Sequence, residues 1–409
     1  MFRSPLTALG AVFLFASLAS AEGPPAPSVT LATPIVAPES GVSFDPAPAD
    51  GGDRAWVEAD YLIWWMRGQS LPALVTTSPA GTPMGSAGVI GSSGTSILEG
   101  GSSVNTGARS GGRIEAGTWI GDGQMFGVEV NFLMLETKAA AFAATSSGSP
   151  ILARPFIDAN TMDNSAVRVA FPGEFSGSVS VDPTTTGLIG TGFLFRGNLL
   201  CGANYRVDVL GGYRFLRFAD RLDISQDQTA LPGNTDLLIA GTHILAADQF
   251  STKNNFNGLD LGLSAEYHTG RFSLDLVFKL ATGFNQQDVD IFGATTVTVP
   301  GSGTVVSPGG LLALSSNIGH FSRGDEVSVI PDFEAKVGYQ INNRWRATLG
   351  YSVLYWDNVV RAADAVDRVV NPNLIPNSGA TGGPANPAFS FHRDNIWVQG
   401  LELGLEYRF

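Results

Sequence analysis

The sequence has little of several features on which common protein classes depend. Its single cysteine, Cys201, excludes an intrachain disulfide. Charged residues make up only 15% of the chain, against about 25% in a typical soluble protein. Beyond the N-terminal segment there is no run of about 18 apolar residues, which excludes membrane-spanning helices. The net charge of −13 argues against nucleic-acid binding, which requires a basic surface.

Residue types that carry catalysis or bind metals are also scarce. The chain has four histidines, which are His243, His268, His320 and His392. His243, His320 and His392 fall in or beside different long loops. A hydrolase at the protein surface would need one of them to contact Asp248, Asp325 or Asp394. No spacing matches a metal site, a phosphate loop or a nucleophile elbow. We therefore predict no catalytic residue, no cofactor and no bound metal, and the protein is not expected to be an enzyme.

The N-terminus has the composition of a targeting segment. Arg3 provides a positive charge, residues 6–18 an apolar core, and the small residues before position 22 a cleavage site after Ala21. We predict that residues 1–21 are a cleaved signal peptide of an exported protein. Residues 22–53 are rich in Pro and Ala and are predicted to be a periplasmic linker.

The end of the chain alternates between two kinds of side chain. One parity is apolar, and its members are Leu401, Leu403, Leu405, Tyr407 and Phe409. The other parity is polar or glycine, so a strand here has one apolar face. A soluble β-sandwich could contain such a strand, but ending the chain on it, with an aromatic last residue, is typical of outer-membrane barrels. We predict that these five residues are the signal read by the barrel-assembly machinery.

Alternating segments recur through the rest of the chain, and we predict about ten strands, with twelve as the alternative. They lie near residues 56–65, 111–120, 128–134, 186–199, 205–215, 259–267, 272–280, 332–341, 344–353 and 396–409. Short links alternate with long ones, and the long ones are 68–110, 138–185, 225–248, 298–325 and 364–391. This alternation indicates an all-β, transmembrane, antiparallel up-and-down β-barrel over residues 54–409, with short periplasmic turns and long extracellular loops. Its first strand must pair with its last, because lipid cannot satisfy an open sheet edge.

The strand faces opposite the apolar ones carry charges of both signs. We predict that the following side chains face the lumen: Glu58, Asp60, Arg113, Glu115, Glu129, Arg206, Asp208, Arg214, Asp260, Glu266, Arg271, Asp275, Lys279, Glu334, Lys336, Arg344, Arg346, Glu402 and Glu406. They are compatible with a hydrated pore or with a closed interior held by ion pairs. Barrels of about eight strands are filled by side chains and those of 16 to 18 form channels, so a narrow or occluded lumen is expected.

Several motifs carry a resemblance to a known family. They are the segments 56–65, 71–79, 110–117, 154–156, 211–216, 250–256 and 367–373 and the closing strand from Trp397. Together they resemble the beta-barrel porin seven family of bacterial outer-membrane proteins over essentially the whole chain after the linker. Arg361-Ala-Ala-Asp364 departs from the pattern, since the family usually has a Pro-Gly pair between the Arg and the Asp. The resemblance implies a bacterial outer-membrane location and a porin-like assignment, with no known substrate.

These observations lead to one functional expectation and two alternatives. The expected function is passive passage of small polar solutes or ions through the charged lumen, narrowed by the long loops. The first alternative is a non-conducting structural or adhesive surface barrel, and the second is a hydrolase at the rim. The expected partners are outer-membrane lipid, the barrel-assembly machinery and small polar solutes or ions. The sequence does not determine the oligomeric state.

Overall fold

The computed structural model describes residues 54–121, 123–235 and 238–409. The predicted signal peptide and linker, residues 1–53, lie outside this range, so both remain predictions. Within the described ranges, regular helix is limited to three 3-10 turns, at Met84–Ser86, Ala363–Ala365 and Pro372–Leu374. Among the described residues, no helix has both the length and the apolar character needed to cross a membrane.

Ten strands form the body of the protein. They are β1 (Ala55–Met66), β2 (Arg109–Ile120), β3 (Phe126–Leu135), β4 (Ile189–Cys201), β5 (Tyr205–Ala230), β6 (His243–Thr269), β7 (Phe272–Val299), β8 (Gly319–Gln340), β9 (Trp345–Val359) and β10 (Asp394–Arg408). Each pairs antiparallel with the next along the chain. β1 also pairs antiparallel with β10, so the pairings form a closed ring. Every predicted alternating segment overlaps one of these strands, although some segments extend a few residues beyond the strand ends.

The connections alternate in length as the sequence predicts. Short turns lie at 121–125, 202–204, 270–271 and 341–344, and long loops at 67–108, 136–188, 231–242, 300–318 and 360–393. The total strand count is larger than predicted, because the loops contribute strands of their own. The ring belongs to a fourteen-stranded sheet, in which the additional strands are Lys138–Ala139, Phe142–Ser146, Phe175–Thr185 and Gly303–Pro308. A five-stranded sheet contains Val75–Ser78, Ser96–Glu99, Ile151–Asp158, Asn164–Ala170 and Val369–Val370, and Gln69–Ser70 pairs with Ser103–Val104.

Three ring strands are far longer than a membrane requires. β5, β6 and β7 contain 26, 27 and 28 residues, whereas about 9–11 residues cross a bilayer. The prediction of loops over 225–248 and 298–325 is therefore wrong for much of both segments. Beyond the lipid the outward side chains become polar, as at Asp223 and Asp227, so the apolar alternation disappears while the strand continues.

The ring has its apolar side chains outside and its charges inside. On β6, for example, Leu261 is 51% exposed and its neighbour Asp260 only 1%. The outward apolar face of β5 runs from Tyr205 to Phe215, and ten steps of about 3.3 Å at a tilt of about 40° span about 25 Å. That is the height of the apolar band of a membrane barrel. The terminal apolar residues, including Leu403 and Phe409, are on this outward face, and their role in assembly remains a prediction.

Candidate functional site

The interior of the ring near the short turns is filled by an ion-pair network centred on Arg113. Its Nε lies 3.0 Å from Asp60 Oδ2, its Nη1 2.5 Å from Glu334 Oε2 and its Nη2 2.6 Å from Glu402 Oε2. The four side chains come from β1, β2, β8 and β10 and are at most 8% exposed. Because the arginine contacts three carboxylates at once, it neutralises acids that water cannot solvate.

Lys336 joins the same network from β8. Its Nζ lies 3.0 Å from Glu58 Oε1, 3.2 Å from Asp60 Oδ2 and 2.9 Å from Glu334 Oε1. Thr348 donates a further hydrogen bond to Glu58 Oε1 at 2.9 Å. Each acid of this part of the interior thus has a protein partner, although the buried Oδ1 of Asp60 accepts no hydrogen bond.

Smaller groups of ion pairs surround this centre. Arg346 contacts Glu406, Asp275 and Glu266. Arg214 lies 2.7 Å from Asp260 and 3.0 Å from Asp332. Arg346 and Arg214 each contact a carboxylate on a neighbouring strand and another on a strand further round the ring, so they link non-adjacent strands from inside.

Most of the predicted lumen-facing charges are buried in this interior. The buried members are Glu58, Asp60, Arg113, Glu129, Asp208, Arg214, Asp260, Lys279, Glu334, Lys336, Arg346, Glu402 and Glu406. Glu115, Arg206, Glu266 and Asp275 are half-buried.

Two predicted members, Arg271 and Arg344, lie elsewhere. Both are exposed at the rim, because each is in a short turn where the strand alternation has ended. Their guanidinium groups reach the hydroxyls of Tyr339 and Tyr407, respectively.

Sequence reasoning missed Arg196 in this network. Its Nε lies 2.8 Å from Glu129 Oε2, and its side chain is 18% exposed. The strand that contains it was predicted only from Phe193, Phe195 and the neighbouring glycines. Arg196 has the opposite parity to both phenylalanines, and that parity is the signal that could have placed it inside.

A cavity of about 410 Å³ lies between the network and the short turns. Charged groups of both signs line it together with Trp56, Trp119 and Cys201. The guanidinium carbon of Arg206 lies 3.6 Å from the centre of the Trp119 ring. We call this cavity the vestibule. It reaches inward as far as Glu334 and Lys336.

An apolar layer crosses the interior on the extracellular side of the network. It consists of Leu62, Trp64, Met66, Leu133, Leu135, Leu188, Leu216, Phe218, Phe256, Ala281, Ile330, Leu354, Trp356, Val359, Ile396 and Val398. Eight of the ten ring strands contribute, and no member is more than 8% exposed. Trp356 packs edge-on against Phe256, with ring centroids 6.2 Å apart. The layer is packed like the core of a soluble domain.

Buried polar groups above the apolar layer fix the loops to the ring. Arg361 Nε lies 2.7 Å from Asp220 Oδ2, and its Nη1 donates to the carbonyl of Gly68 at 2.9 Å. Gln69 donates to the other oxygen of Asp220 at 3.0 Å. Thus Asp220, on β5, binds both the first and the last long loop.

Higher still, the loops build a second apolar core, which we call the cap core. One segment, 309–318, turns inward and buries Leu311, Leu312, Ala313 and Leu314. Asp248, on β6, holds this inserted segment.

The carboxylate of Asp248 uses both oxygens. Oδ1 accepts hydrogen bonds from the backbone N–H groups of Leu311, Leu312 and Ala313 at 2.8–3.0 Å. Oδ2 lies 2.6 Å from Nη2 of the fully buried Arg154.

In the described residues, no ion pair joins a histidine to Asp248, Asp325 or Asp394, and His392 shares only a cleft with Asp394. His243 contacts Asp227 at 2.5 Å, and His320 contacts Asp290 at 2.7 Å. An extracellular cleft of about 310 Å³ is lined by Arg67, Ser70, Asp364, His392, Arg393 and Asp394. Asp394 is already bound by Arg67 at 2.7 Å. No set of three or more His, Cys, Asp or Glu side chains in the described residues could hold a metal ion.

The cleft provides a test of pH dependence. Burial, followed by the nearby charge of Asp394, raises the pKa of Asp364, whereas Arg361 and His392 lower it. A carboxyl group with a raised pKa in the folded state stabilises the fold below its unfolded pKa and loses this contribution as pH rises through the folded value. We therefore expect Asp364→Asn to raise the melting temperature of the extracellular loops at pH 7 and to leave it unchanged at pH 3. An equal shift at both pH values would contradict this.

The sequence that forms this ring and its loops matches a known protein family. A family model described as "Putative beta barrel porin-7 (BBP7)" matches residues 56–409. The chain belongs to the BBP7 family. It is accordingly a porin-like, outer-membrane β-barrel protein. No curated protein matches the sequence.

Three solved structures are similar to this chain at low identity. The outer membrane protease OmpT from Escherichia coli is 10% identical, with a TM-score of 0.40 and coverage of 90% of this chain and 99% of that one. A Pseudomonas aeruginosa FadL homologue is 10% identical, with a TM-score of 0.26 and coverage of 90% and 94%. The P. putida toluene transporter TodX is 7% identical, with a TM-score of 0.20 and coverage of 88% and 91%. At these scores none supports a conclusion about this protein's activity.

The BBP7 motifs of the sequence supply residues that close the interior. Arg154 binds Asp248, and Asn254 hydrogen-bonds both the carbonyl and the N–H of Val360 at 2.8–2.9 Å. Asn371 accepts from the N–H of Asn373, and its amide donates to loop carbonyls. Arg154 and Asn254 thus fasten long loops to the ring, whereas Asn371 holds the last long loop together.

Proposed function

We propose that this BBP7 protein is closed to passive ion flow in its folded state and that the ring anchors a folded extracellular cap. The apolar layer carries this proposal. A hydrated ion would have to cross buried Leu, Phe and Trp side chains, where the unpaired indole N–H groups of Trp64 and Trp356 cannot replace its hydration shell. Such apolar constrictions block conduction by excluding water. On this proposal the protein acts through its extracellular surface, and no residue is catalytic.

The ion-pair network supports the same proposal. In a hydrated pore the lining charges are solvated by water, whereas Arg113 and Lys336 are bound by carboxylates on several strands. Burying charges in this way is costly unless each one is paired. The network is therefore better suited to holding the ring shut than to conducting ions.

A second candidate function is gated passage of small polar solutes. The vestibule favours it, because this cavity of about 410 Å³ has mixed charges on its walls and lies at the periplasmic end. Passage would require the apolar layer and the inserted segment 309–318 to move. This candidate keeps the solute-passage hypothesis but makes it conditional on an opening event.

Single-channel recording in a planar bilayer tests the proposal. We expect the refolded wild type, verified by its heat-modifiable gel mobility, to give no current steps. Trp64→Ser with Trp356→Ser removes two large side chains of the apolar layer and should produce steps. The matched control is Trp65→Ser with Trp397→Ser, which changes outward-facing tryptophans and should remain silent. Reproducible wild-type steps would overturn the closed state and favour passage.

The single cysteine provides an independent readout. Cys201 lines the vestibule, below the apolar layer. In vesicles with the loops facing outward, an external membrane-impermeant maleimide should not label wild-type Cys201. It should label the Trp64→Ser, Trp356→Ser variant. Equal labelling of both proteins would show that the layer does not close the interior.

A further inference from the structure

A cluster of basic side chains lies on the outward face of the ring, directly above the apolar band. On β5 the last large outward apolar side chain is Phe215. The register places Phe215 opposite Asn257 of β6, which in turn is opposite Phe284 of β7. One step further from the periplasm, Arg217 is opposite Asn255 and outward side chains are polar. The cluster thus begins where the lipid tails end.

Three side chains form the cluster, which we call the basic triad: Arg217, Arg221 and Lys253. Lys253 is opposite Ala219, so it lies between the two arginines of the neighbouring strand. Diagonal neighbours across a strand pair have Cβ atoms about 7–8 Å apart. Long basic side chains at that spacing can converge on one phosphate group.

Two members of the basic triad are not used by the protein. In the part of the chain that the structure describes, neither Arg217 nor Lys253 makes a side-chain hydrogen bond or an ion pair. Arg221 is held by Asp223 at 2.6 Å and by Gln249 at 3.2 Å. The free pair therefore provides the binding groups, and Arg221 adds positive charge beside them.

Packing inside the ring does not explain the lysine at position 253. It belongs to the motif Phe250–Phe256, whose members Phe250, Asn254 and Phe256 are fully buried. Lys253 has the opposite parity and points outward, towards the level of the membrane surface. The interior thus accounts for Phe250, Asn254 and Phe256 but not for the lysine.

We propose that Arg217 and Lys253 bind the phosphate of a lipid headgroup in the outer leaflet. Guanidinium and ammonium groups bind phosphate through charge-assisted hydrogen bonds, and basic clusters at a membrane surface select anionic lipids. The nearest competing acid is Asp288, which is opposite Lys253 on β7 and accepts a hydrogen bond from Ser322 at 2.7 Å. It lies on the side of Lys253 away from Arg217, so the space between the two cations stays open to a phosphate.

Lipid binding to the refolded full-length barrel in mixed micelles tests this site, with fluorescent diphosphoryl lipid A as the probe. Each basic residue near an anionic lipid surface contributes about a fivefold gain in affinity, so Arg217→Gln with Lys253→Gln should weaken binding about 25-fold. The matched control is Arg271→Gln with Arg344→Gln, which removes two exposed cations at the periplasmic rim. It should bind the probe like the wild type.

Two further measurements distinguish a lipid site from a site for free phosphate and from a folding defect. Inorganic phosphate at millimolar concentration should not displace the probe. The wild type should bind a dephosphorylated lipid A as weakly as the double variant binds the probe. Heat-modifiable mobility should be unchanged, because neither residue has a partner to lose. Unchanged probe affinity in the double variant, equal loss in the control or full displacement by inorganic phosphate would each overturn the proposal.

Discussion

Replacing Arg113 by methionine is expected to prevent stable closure of the ring. The substitution leaves Asp60, Glu334 and Glu402 in a buried space without their shared cation. Breaking a single buried ion pair typically costs about 3–5 kcal/mol, and here three carboxylates lose a partner. The measurement is urea unfolding in detergent, followed by heat-modifiable gel mobility, in which the folded band should be lost or should shift to much lower urea.

A rescue variant separates the charge effect from the loss of packing. Adding Glu334→Gln and Glu402→Gln to Arg113→Met removes two of the stranded charges, and we expect most of the stability to return. Arg271→Met, in an exposed turn, is the matched control and should unfold like the wild type. If Arg113→Met is as stable as this control, the network does not hold the ring.

Replacing Asp248 by alanine is expected to release the inserted segment 309–318 without opening the ring. Three backbone N–H groups and the guanidinium of Arg154 would lose their acceptor in a fully buried site. Leaving a buried charge unpaired costs about 3–5 kcal/mol, which is comparable to the stability of a small domain. Limited proteolysis with mass spectrometry should show new cleavage within 309–318, while the heat-modifiable shift of the ring persists.

The chain offers a close comparison for this change. Asp290 lies on β7 in the same extracellular region, but its side chain is 60% exposed and, among the residues that the structure describes, hydrogen-bonds only His320. Asp290→Ala should leave the cleavage pattern as in the wild type. Protection of 309–318 in Asp248→Ala would mean that apolar packing alone holds the segment, and the carboxylate would then have no role in closing the cap.

The sequence by itself determined the ring. An apolar side chain at every second position, as from Leu259 to Tyr267, indicates contact with lipid, because every outward residue of a membrane-spanning strand faces the lipid tails. The alternation of short and long links then determined the antiparallel order and the side on which the loops lie. Both signals are local, so one sequence is sufficient to read them.

Where the surroundings change along a strand, the same pattern stops being informative. Above the lipid, outward positions such as Asp223 meet water. The sequence there predicts a loop, although β5 extends to Ala230 and β6 begins at His243. Strand β4 has a weak alternating signal for a related reason, because its glycines have no side chain that marks a face. Arg196 was missed with it.

Only the tertiary structure shows which side chains pack together inside the ring. Leu62 and Trp64 have the same parity as Glu58 and Asp60, so their inward direction was readable, but one strand does not show that eight strands place apolar groups at the same height. Likewise, Asp248 and Leu311 are 63 residues apart, and no local pattern pairs a carboxylate with a distant backbone turn. Side chains from residues far apart in the chain fill this part of the ring. Their contacts form only once the ring has brought them together.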